Sequence, residues 1–427
     1  MAPDMLEIRH LMTSRFRTCA PVLLCGAMAW ENVGCSSDAA PSTAASAASA
    51  NCAVTIDRFK ELMIVDDAVI GDARARNDQD GHWSFRHAVE EMLPAGMSPS
   101  AFVDAWMAEW APEKTINGFL VDRTREWRNV GVNTVWACPW LHATEANGCD
   151  ADCSSCTARV FDLAKAPFRL LAFANRMDLG GRSDVRTGAG EARLVFALTS
   201  GPGDDPASKA LPMTAVFEYG LEVDPRTPRQ WADLWHGLSA HAAFDEDFKR
   251  DLDALTESFV RRGAAPLRQN GSAISQVRTN ESAFQWFWQF RQFALDGSGH
   301  LGSAAVTNTP DFSLDDSQTL SNALKPATPA IDAHTYVLPL ALLGASSDLM
   351  SARWTLPGLD DTTRAAFAQE TCNGCHSGEH PTLDTAFHVS PYRAGTAKLS
   401  TFLNDPANTS GDELARRGAI AKTLLCQ

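Results

Sequence analysis

Apolar positions recur along this chain in two rhythms. In Trp83-Ser-Phe-Arg-His-Ala-Val-Glu-Glu-Met-Leu93 and again over residues 98–110 they return every three or four residues, which predicts two amphipathic helices. Farther on, short apolar runs bounded by turn residues predict buried strands over 168–178, 191–198 and 213–221. Residues 230–238 and 245–262 return to helical spacing. Residues 275–278 read as a short strand, and 282–295, with its Phe-Gln-Trp-Phe-Trp-Gln-Phe run, as an aromatic helix whose face is core rather than cofactor box. Residues 123–136 are loop or strand, 336–343 an apolar run of either type, and 362–371 a short helix. Helices and strands come in blocks, so the fold class expected is α+β: a mixed helical and β body with a small, mainly α-helical C-terminal segment. The length suggests two or three domains, and no internal repeat is visible.

The first 35 residues show neither rhythm. Arg15 and Arg17 precede an apolar run over 19–30, which is signal-peptide length and too short to span a bilayer. Asp4 and Glu7 make the stretch before it unusually acidic for a signal, so Met12 is an alternative start. Two processing sites compete. Ala27-Met28-Ala29 has the small-x-small pattern of a signal peptidase site. Asn32-Val33-Gly34-Cys35 resembles a bacterial lipobox, departing from it at Asn32, and in that reading Cys35 carries lipid. The Ala/Ser-rich stretch over 36–52 reads as a tether. The chain is thus expected in the bacterial cell envelope, as a periplasmic or outer-membrane lipoprotein or as a soluble exported protein.

Composition narrows the partners. With 45% hydrophobic and 21% charged residues the chain is globular rather than disordered. A net charge of −15 argues against nucleic acid, whose phosphates call for a basic surface. It also leaves a lipid anchor as the expected membrane contact. Eleven cysteines are the odd feature. Cys19 and Cys25 leave with a signal and Cys35 is the lipidation candidate. In an exported chain the remainder should pair. If Cys372 and Cys375 serve otherwise, Cys52, Cys138, Cys149, Cys153, Cys156 and Cys426 are left for disulfides whose connectivity sequence does not give. The dense Cys149–Cys153–Cys156 loop, with Cys138 and His142 nearby, is a disulfide knot or a zinc knot, with disulfides favoured outside the cytosol.

Cys372-Asn373-Gly374-Cys375-His376 is the strongest chemical pattern. It is C-x-x-C-H, the attachment motif of c-type haem. Two thiols at this spacing reach the two vinyl groups of one porphyrin, and the next residue brings an imidazole to the iron. With 11 Cys and 11 His in 427 residues, chance supplies such a pattern roughly 0.007 times. A redox C-x-x-C or a zinc pair are the alternatives. The first lacks a strand–helix crossover early in a βαβ pattern, and the second lacks further ligands apart from His380. The cofactor expected is therefore haem c, held by Cys372 and Cys375 with His376 as proximal iron ligand. No Met follows residue 350, so the sixth ligand is sought first at His388, then at Met350 or His334, then nowhere. His/His ligation would give a lower potential than Met/His. Arg393 is a candidate partner for a propionate. The helix over 362–371 running into the motif resembles the one that carries the cysteines of c-type cytochromes.

Weaker patterns carry less. Gly297-Ser-Gly-His-Leu-Gly302 matches G-x-G-x-x-G but follows an expected helix, which argues against a dinucleotide site. Asn77-Asp-Gln-Asp-Gly81 reads as a turn. The pairs His82/His87 and His236/His241 read as ordinary packing or surface, and Glu191 and Arg193 as polar starts of a strand within reach of Arg176 or Asp178. No P-loop or G-x-S-x-G is present.

Several stretches together resemble a group of largely uncharacterised bacterial envelope proteins. They are Gly81-His-Trp-Ser-Phe85, Leu170-Leu-Ala-Phe-Ala-Asn-Arg-Met-Asp-Leu179, Gly190-Glu-Ala-Arg-Leu-Val-Phe196, Val277-Arg-Thr-Asn-Glu281, Thr371-Cys-Asn-Gly-Cys-His-Ser-Gly378 and Phe387-His-Val-Ser-Pro391. The resemblance implies one architecture over most of the mature chain, ending in a haem-type motif, and implies no activity. The organisation expected is signal peptide or lipobox over 1–35, tether over 36–52, α+β body over 53–356 and a cytochrome-c-like haem segment over 357–427. The leading functional expectation is a single-haem electron-transfer protein with a redox protein partner. A haem-dependent peroxidase or oxidase and a non-haem surface interaction lipoprotein are the alternatives.

Overall fold

The computed structural model describes residues 52–110, 113–121, 132–181, 188–222, 225–282, 284, 288–348, 353–378 and 387–427. The export segment, Cys35, nearly all of the tether, Met350 and His380 lie outside these.

Among the described residues the apolar runs build an eight-stranded sheet. Its strands are β1 (Met63–Ile64), β2 (Phe168–Arg176), β3 (Glu191–Thr199), β4 (Ala210–Gly220), β5 (Ile274–Glu281), β6 (Gln289–Leu295), β7 (Leu301–Ala304) and β8 (Ser347–Asp348). The order is β1-β2-β3-β4-β5-β6-β8, with β7 paired to β6, and each pairing is antiparallel. The helices that matter here are α1 (Phe85–Glu90), α2 (Pro99–Ala108), α3 (Pro228–Gly237), α4 (Glu246–Val260), α5 (Asp361–Gln369) and α6 (Glu413–Leu425). Each starts on a side chain that accepts from its own first turn: Ser84, Ser98, Thr227, Asp245, Asp360 and Asp412 respectively. The fold is α+β, as the block pattern implies.

Side chains on a strand alternate between faces, and the two faces of this sheet differ sharply. One face carries Phe168, Phe196, Phe217 and Phe293, which meet Phe85 of α1, Trp106 of α2 and Trp136 at ring-centroid distances of 4.2–6.4 Å. Phe259 of α4 packs on Tyr219 of β4. These rings are almost wholly buried and form the main core. The other face carries Arg176, Arg193, Glu218, Arg278 and Asn280, and the C-terminal segment covers it.

The division expected at residue 357 is not a packing boundary. Phe367 and Ala368 of α5 join a small core with Leu320, Leu324, Ile331, Leu338, Trp354 and Leu356, whereas Val389, Leu403, Leu414 and Leu425 join the main core. A disulfide from Cys52 to Cys426 ties the start of the described chain to its end, and residues 52–427 belong to one compact unit. Cys138–Cys153 and Cys149–Cys156 complete the pairing, so the cysteine-rich loop is a disulfide knot.

Two local expectations change. The stretch read as an aromatic helix enters β6 instead, because Phe290 and Phe293 point to opposite faces of a sheet that is buried on both. The G-x-G-x-x-G stretch is the turn between β6 and β7, where Gly299 donates its N–H to Asp296 O. A strand precedes it, but a strand and not a helix follows, so no phosphate cradle forms.

Candidate functional site

Thr371 organises the cysteine motif. Its hydroxyl donates to Ala368 O at 2.7 Å and accepts from Gly374 N at 3.1 Å and from Trp354 Nε1 at 3.0 Å. The Trp354 indole also reaches Asn373 Oδ1 at 3.2 Å. Cys372 N donates to Thr309 Oγ1 at 2.9 Å, and Cys375 N donates to Thr371 O at 2.9 Å. The chain then winds into a wide helical turn, Gly374–Gly378, a feature frequent at functional sites. Position 374 has to be glycine, because a Cβ there would lie 2.0 Å from Ala368 O. The second of the two residues between the cysteines is thus fixed by backbone packing.

The motif faces a cleft between the C-terminal segment and the charged side of the sheet, with about 1250 Å³ of free space counting the part open to solvent. Cys372, Cys375, His376 and His388 all line it. Cys372 and Cys375 carry thiols, while the other six described cysteines are in disulfides. Burial pushes the Cys375 thiol up to about 12, so it is protonated. The His376 ring rests on Trp288 and Phe290, with centroids 5.2 and 5.5 Å away.

His388 arrives from the loop after the motif and is held on both sides. Its Nδ1 lies 3.1 Å from Ser400 Oγ, and its Nε2 lies 3.3 Å from Cys375 Sγ. Ser400 N also donates to His388 O at 2.9 Å, and the His388 ring packs on Phe402. The Cys375 thiol is placed to donate to Nε2, and the opposite ring nitrogen faces the Ser400 hydroxyl. A histidine that ligates a metal is oriented in just this way, through its other nitrogen. His376 and His388 meet with ring centroids 4.1 Å apart. The fold brings both imidazoles to one point without setting them on opposite sides of a metal atom.

No family model, curated protein or solved structure matches this chain. The chemistry of the cleft therefore has to be read from its own residues.

The donor set fits a c-type haem. Two thiols at the attachment spacing, an imidazole next in sequence and a second imidazole in reach share one cleft, with Met63, Val216 and Leu403 as apolar wall and arginines as partners for carboxylates. A zinc reading fits less well. Among the described residues, the groups of three ligands within 4.8 Å of one another are Cys138–His142–Cys153 and Cys149–Cys153–Cys156, whose cysteines are in disulfides. The cleft thiols and imidazoles form no such group.

His334 also lines the cleft, and its Nδ1 lies 2.9 Å from Glu370 Oε1, which raises the imidazole above its ordinary value. Arg393 stands elsewhere. It bonds Asp67 and Ile70 O, at 3.3 and 3.4 Å, and does not line the cleft. The remaining histidines of the weak pairs each meet a carboxylate away from the cleft: His82 with Asp253, His87 with Glu257, His236 with Glu61 and His241 with Asp251.

Of the arginines that do line the cleft, sequence offered Arg176 and Arg193 only as ion-pair candidates and did not point to the other three. Arg176 on β2, Arg193 on β3, Arg278 on β5 and Arg416 and Arg417 on α6 come from four elements. Sheet register assembles the first three: Arg176 lies opposite Glu191, Arg193 opposite Glu218, and Val216 opposite Arg278. Arg193 pairs with Glu191 at 2.6 Å and Glu218 at 3.3 Å, and Arg176 with Asp178 at 2.8 Å. The polar start of β3 is therefore paired within its own strand. The spacing Arg176-x-Asp178 was the one available signal.

Proposed function

We propose that this protein is an exported, single-haem c-type protein that passes electrons to a redox protein partner in the bacterial envelope. The observation that carries the reading is the meeting of Cys372, Cys375, His376 and His388 in one cleft. Six other cysteines are paired in disulfides while these two remain thiols, a pattern that suits an oxidising compartment with a separate use for the C-x-x-C pair. Among the described residues no helix is long and apolar enough to cross a membrane.

Cys372 and Cys375 would hold the haem through thioethers and His376 would bind its iron. His388 is the nearest second imidazole and the candidate for the sixth position, with Ser400 setting its tautomer. Trp288 and Phe290 fix the plane of His376. A bound haem c supplies one-electron exchange at its iron, at a potential that two imidazole ligands would hold low. Electron transfer is put ahead of peroxidase or oxidase chemistry because a second imidazole, His388, stands within reach of the motif.

The test is expression with haem maturation machinery, then a pyridine haemochrome spectrum and an intact mass. One haem's added mass and an α band are expected, and both should vanish in Cys372→Ser/Cys375→Ser. A chain that matures with neither would overturn the reading and leave a surface interaction protein. In the haem-loaded protein, His388→Ala should change the reduced spectrum. An unchanged spectrum would mean an open or differently filled sixth position and would favour an enzyme.

A further inference from the structure

The cleft holds a second chemistry that the cysteine motif does not use. Arg176 gives Nε and Nη2 to the two oxygens of Asp178, at 2.8 and 2.9 Å. Arg416 gives Nη2 to Asp178 at 2.7 Å and to Glu413 at 2.8 Å, and Nε to Glu413 at 2.7 Å. Arg417 gives Nε to Glu413 at 2.8 Å. Three guanidinium groups therefore share two carboxylates. When those bonds are made, both Nη atoms of Arg417 and the Nη1 atoms of Arg176 and Arg416 still have no acceptor among the described residues.

One positive charge in excess is costly where water is scarce. Arg417 is only 6% exposed, yet it lines the cleft rather than the sealed interior. Burial and the charge of Arg176 outweigh the pull of Glu413 and Asp178 and hold this guanidinium below its ordinary value. Farther along the sheet the charges balance, because Arg193 and Arg278 together are answered by Glu191 and Glu218. The surplus is thus local to the junction of β2 and α6.

We propose that Arg176, Arg416 and Arg417 form a binding site for a carboxylate. A guanidinium fork matches the two coplanar oxygens of that group, and one surplus charge is answered by one monoanion, whereas a phosphate dianion would overshoot it. Leu403 and Met63 in the same cleft suit a short hydrocarbon stem. The carboxylate has two sources, a propionate arm of a haem held at Cys372 and Cys375, or a free small carboxylate. Only the first rests on the haem reading. The arginine site itself stands without it.

The experiment uses the full chain in two forms, Cys372→Ser/Cys375→Ser made without haem and the wild type matured with haem. Each is titrated calorimetrically with sodium propionate, with sodium chloride as the control. The haem-free form should bind propionate at one saturable site, weakened about tenfold or more by Arg417→Gln and unaffected by Arg250→Gln on the surface. Arg417→Lys keeps the charge but loses the fork, and should fall between the two; circular dichroism of each variant separates lost binding from lost fold. If maturation with haem abolishes the propionate site, the carboxylate is the haem's own. If the matured protein still binds propionate, the ligand is a free carboxylate. If the haem-free form shows no saturable propionate binding while folded, the proposal is wrong, whatever becomes of haem attachment.

Discussion

Val216 and Phe217 are neighbours on β4 that live in different media. Phe217 enters a dry stack of rings, while Val216 looks across a cleft at cysteines, histidines and arginines. Antiparallel sheets commonly leave one face to water. Here both faces are covered, but by unlike material. Helices α1, α2 and α4 close the aromatic face with apolar side chains that need only to exclude water. The C-terminal segment closes the other, and it brings charge and ligand chemistry with it. The difference teaches where this fold can carry function: stability is concentrated on one side, so the other can hold ion pairs and thiols that a core would reject.

The largest effect should come from the aromatic face. Trp106 meets Trp136, Phe217 and Phe293 at 5.0–6.4 Å and is fully buried. Trp106→Ala should lower unfolding free energy by about 4 kcal/mol, the usual cost of emptying so large a site. Val216→Ala, one residue from Phe217 on the opposite face, should cost about 1 kcal/mol, because the cleft beside it is already open. Guanidinium denaturation of both variants measures the contrast. Equal losses would mean that the cleft face is as tightly packed as the core.

The same contrast explains what sequence could show. Strands over 168–178, 191–198 and 213–221 were legible because their buried apolar runs are long. The strand Gln289–Leu295 was not, because a sheet covered on both sides shows no clean apolar–polar alternation, and closely spaced rings mimic a helical face. The cysteine motif was legible because covalent attachment needs neighbouring residues. His388 was within reach because it sits twelve residues farther on. The gathering of arginines in one cleft was hidden, since Arg176, Arg193 and Arg417 meet only through register and docking. Arg393 is close to His388 in sequence, yet it pairs with Asp67 and does not line the cleft.

Acid should expose the cleft face next. Burial alone would raise the Glu413 carboxyl, but Arg417 and Arg416 more than offset that and hold it at about 2. Asp178 is likewise held well below the ordinary carboxylate range, burial being outweighed by Arg176. A carboxyl whose folded value is depressed contributes stability that is complete above its unfolded value of about 4.5 and is lost as pH falls toward the folded value. Stability should therefore decline between about pH 4.5 and about pH 2, by on the order of 2 kcal/mol from Glu413. Glu413→Gln should be less stable at neutral pH and flatter across that window. Urea midpoints at pH 7, 4 and 3 test this, and a wild-type midpoint that does not move would mean the arginines do not hold Glu413 down.

The smallest expected effect on the fold is the most informative about the site. Ser400 touches His388 twice, through its hydroxyl at Nδ1 and through its backbone N–H at His388 O. Ser400→Ala removes the first contact and keeps the second, and the bridge between Val389 and Leu399 holds the loop besides. The fold should lose about 1 kcal/mol or less. The imidazole, however, loses the acceptor that fixes its tautomer, so a metal bound at Nε2 should be held about tenfold less well. In the haem-loaded protein this reads as a reduced spectrum shifted part of the way toward that of His388→Ala. A Ser400→Ala spectrum identical to wild type would show that the hydroxyl only packs. In that case the polar face of the sheet would owe its shape to ion pairs alone.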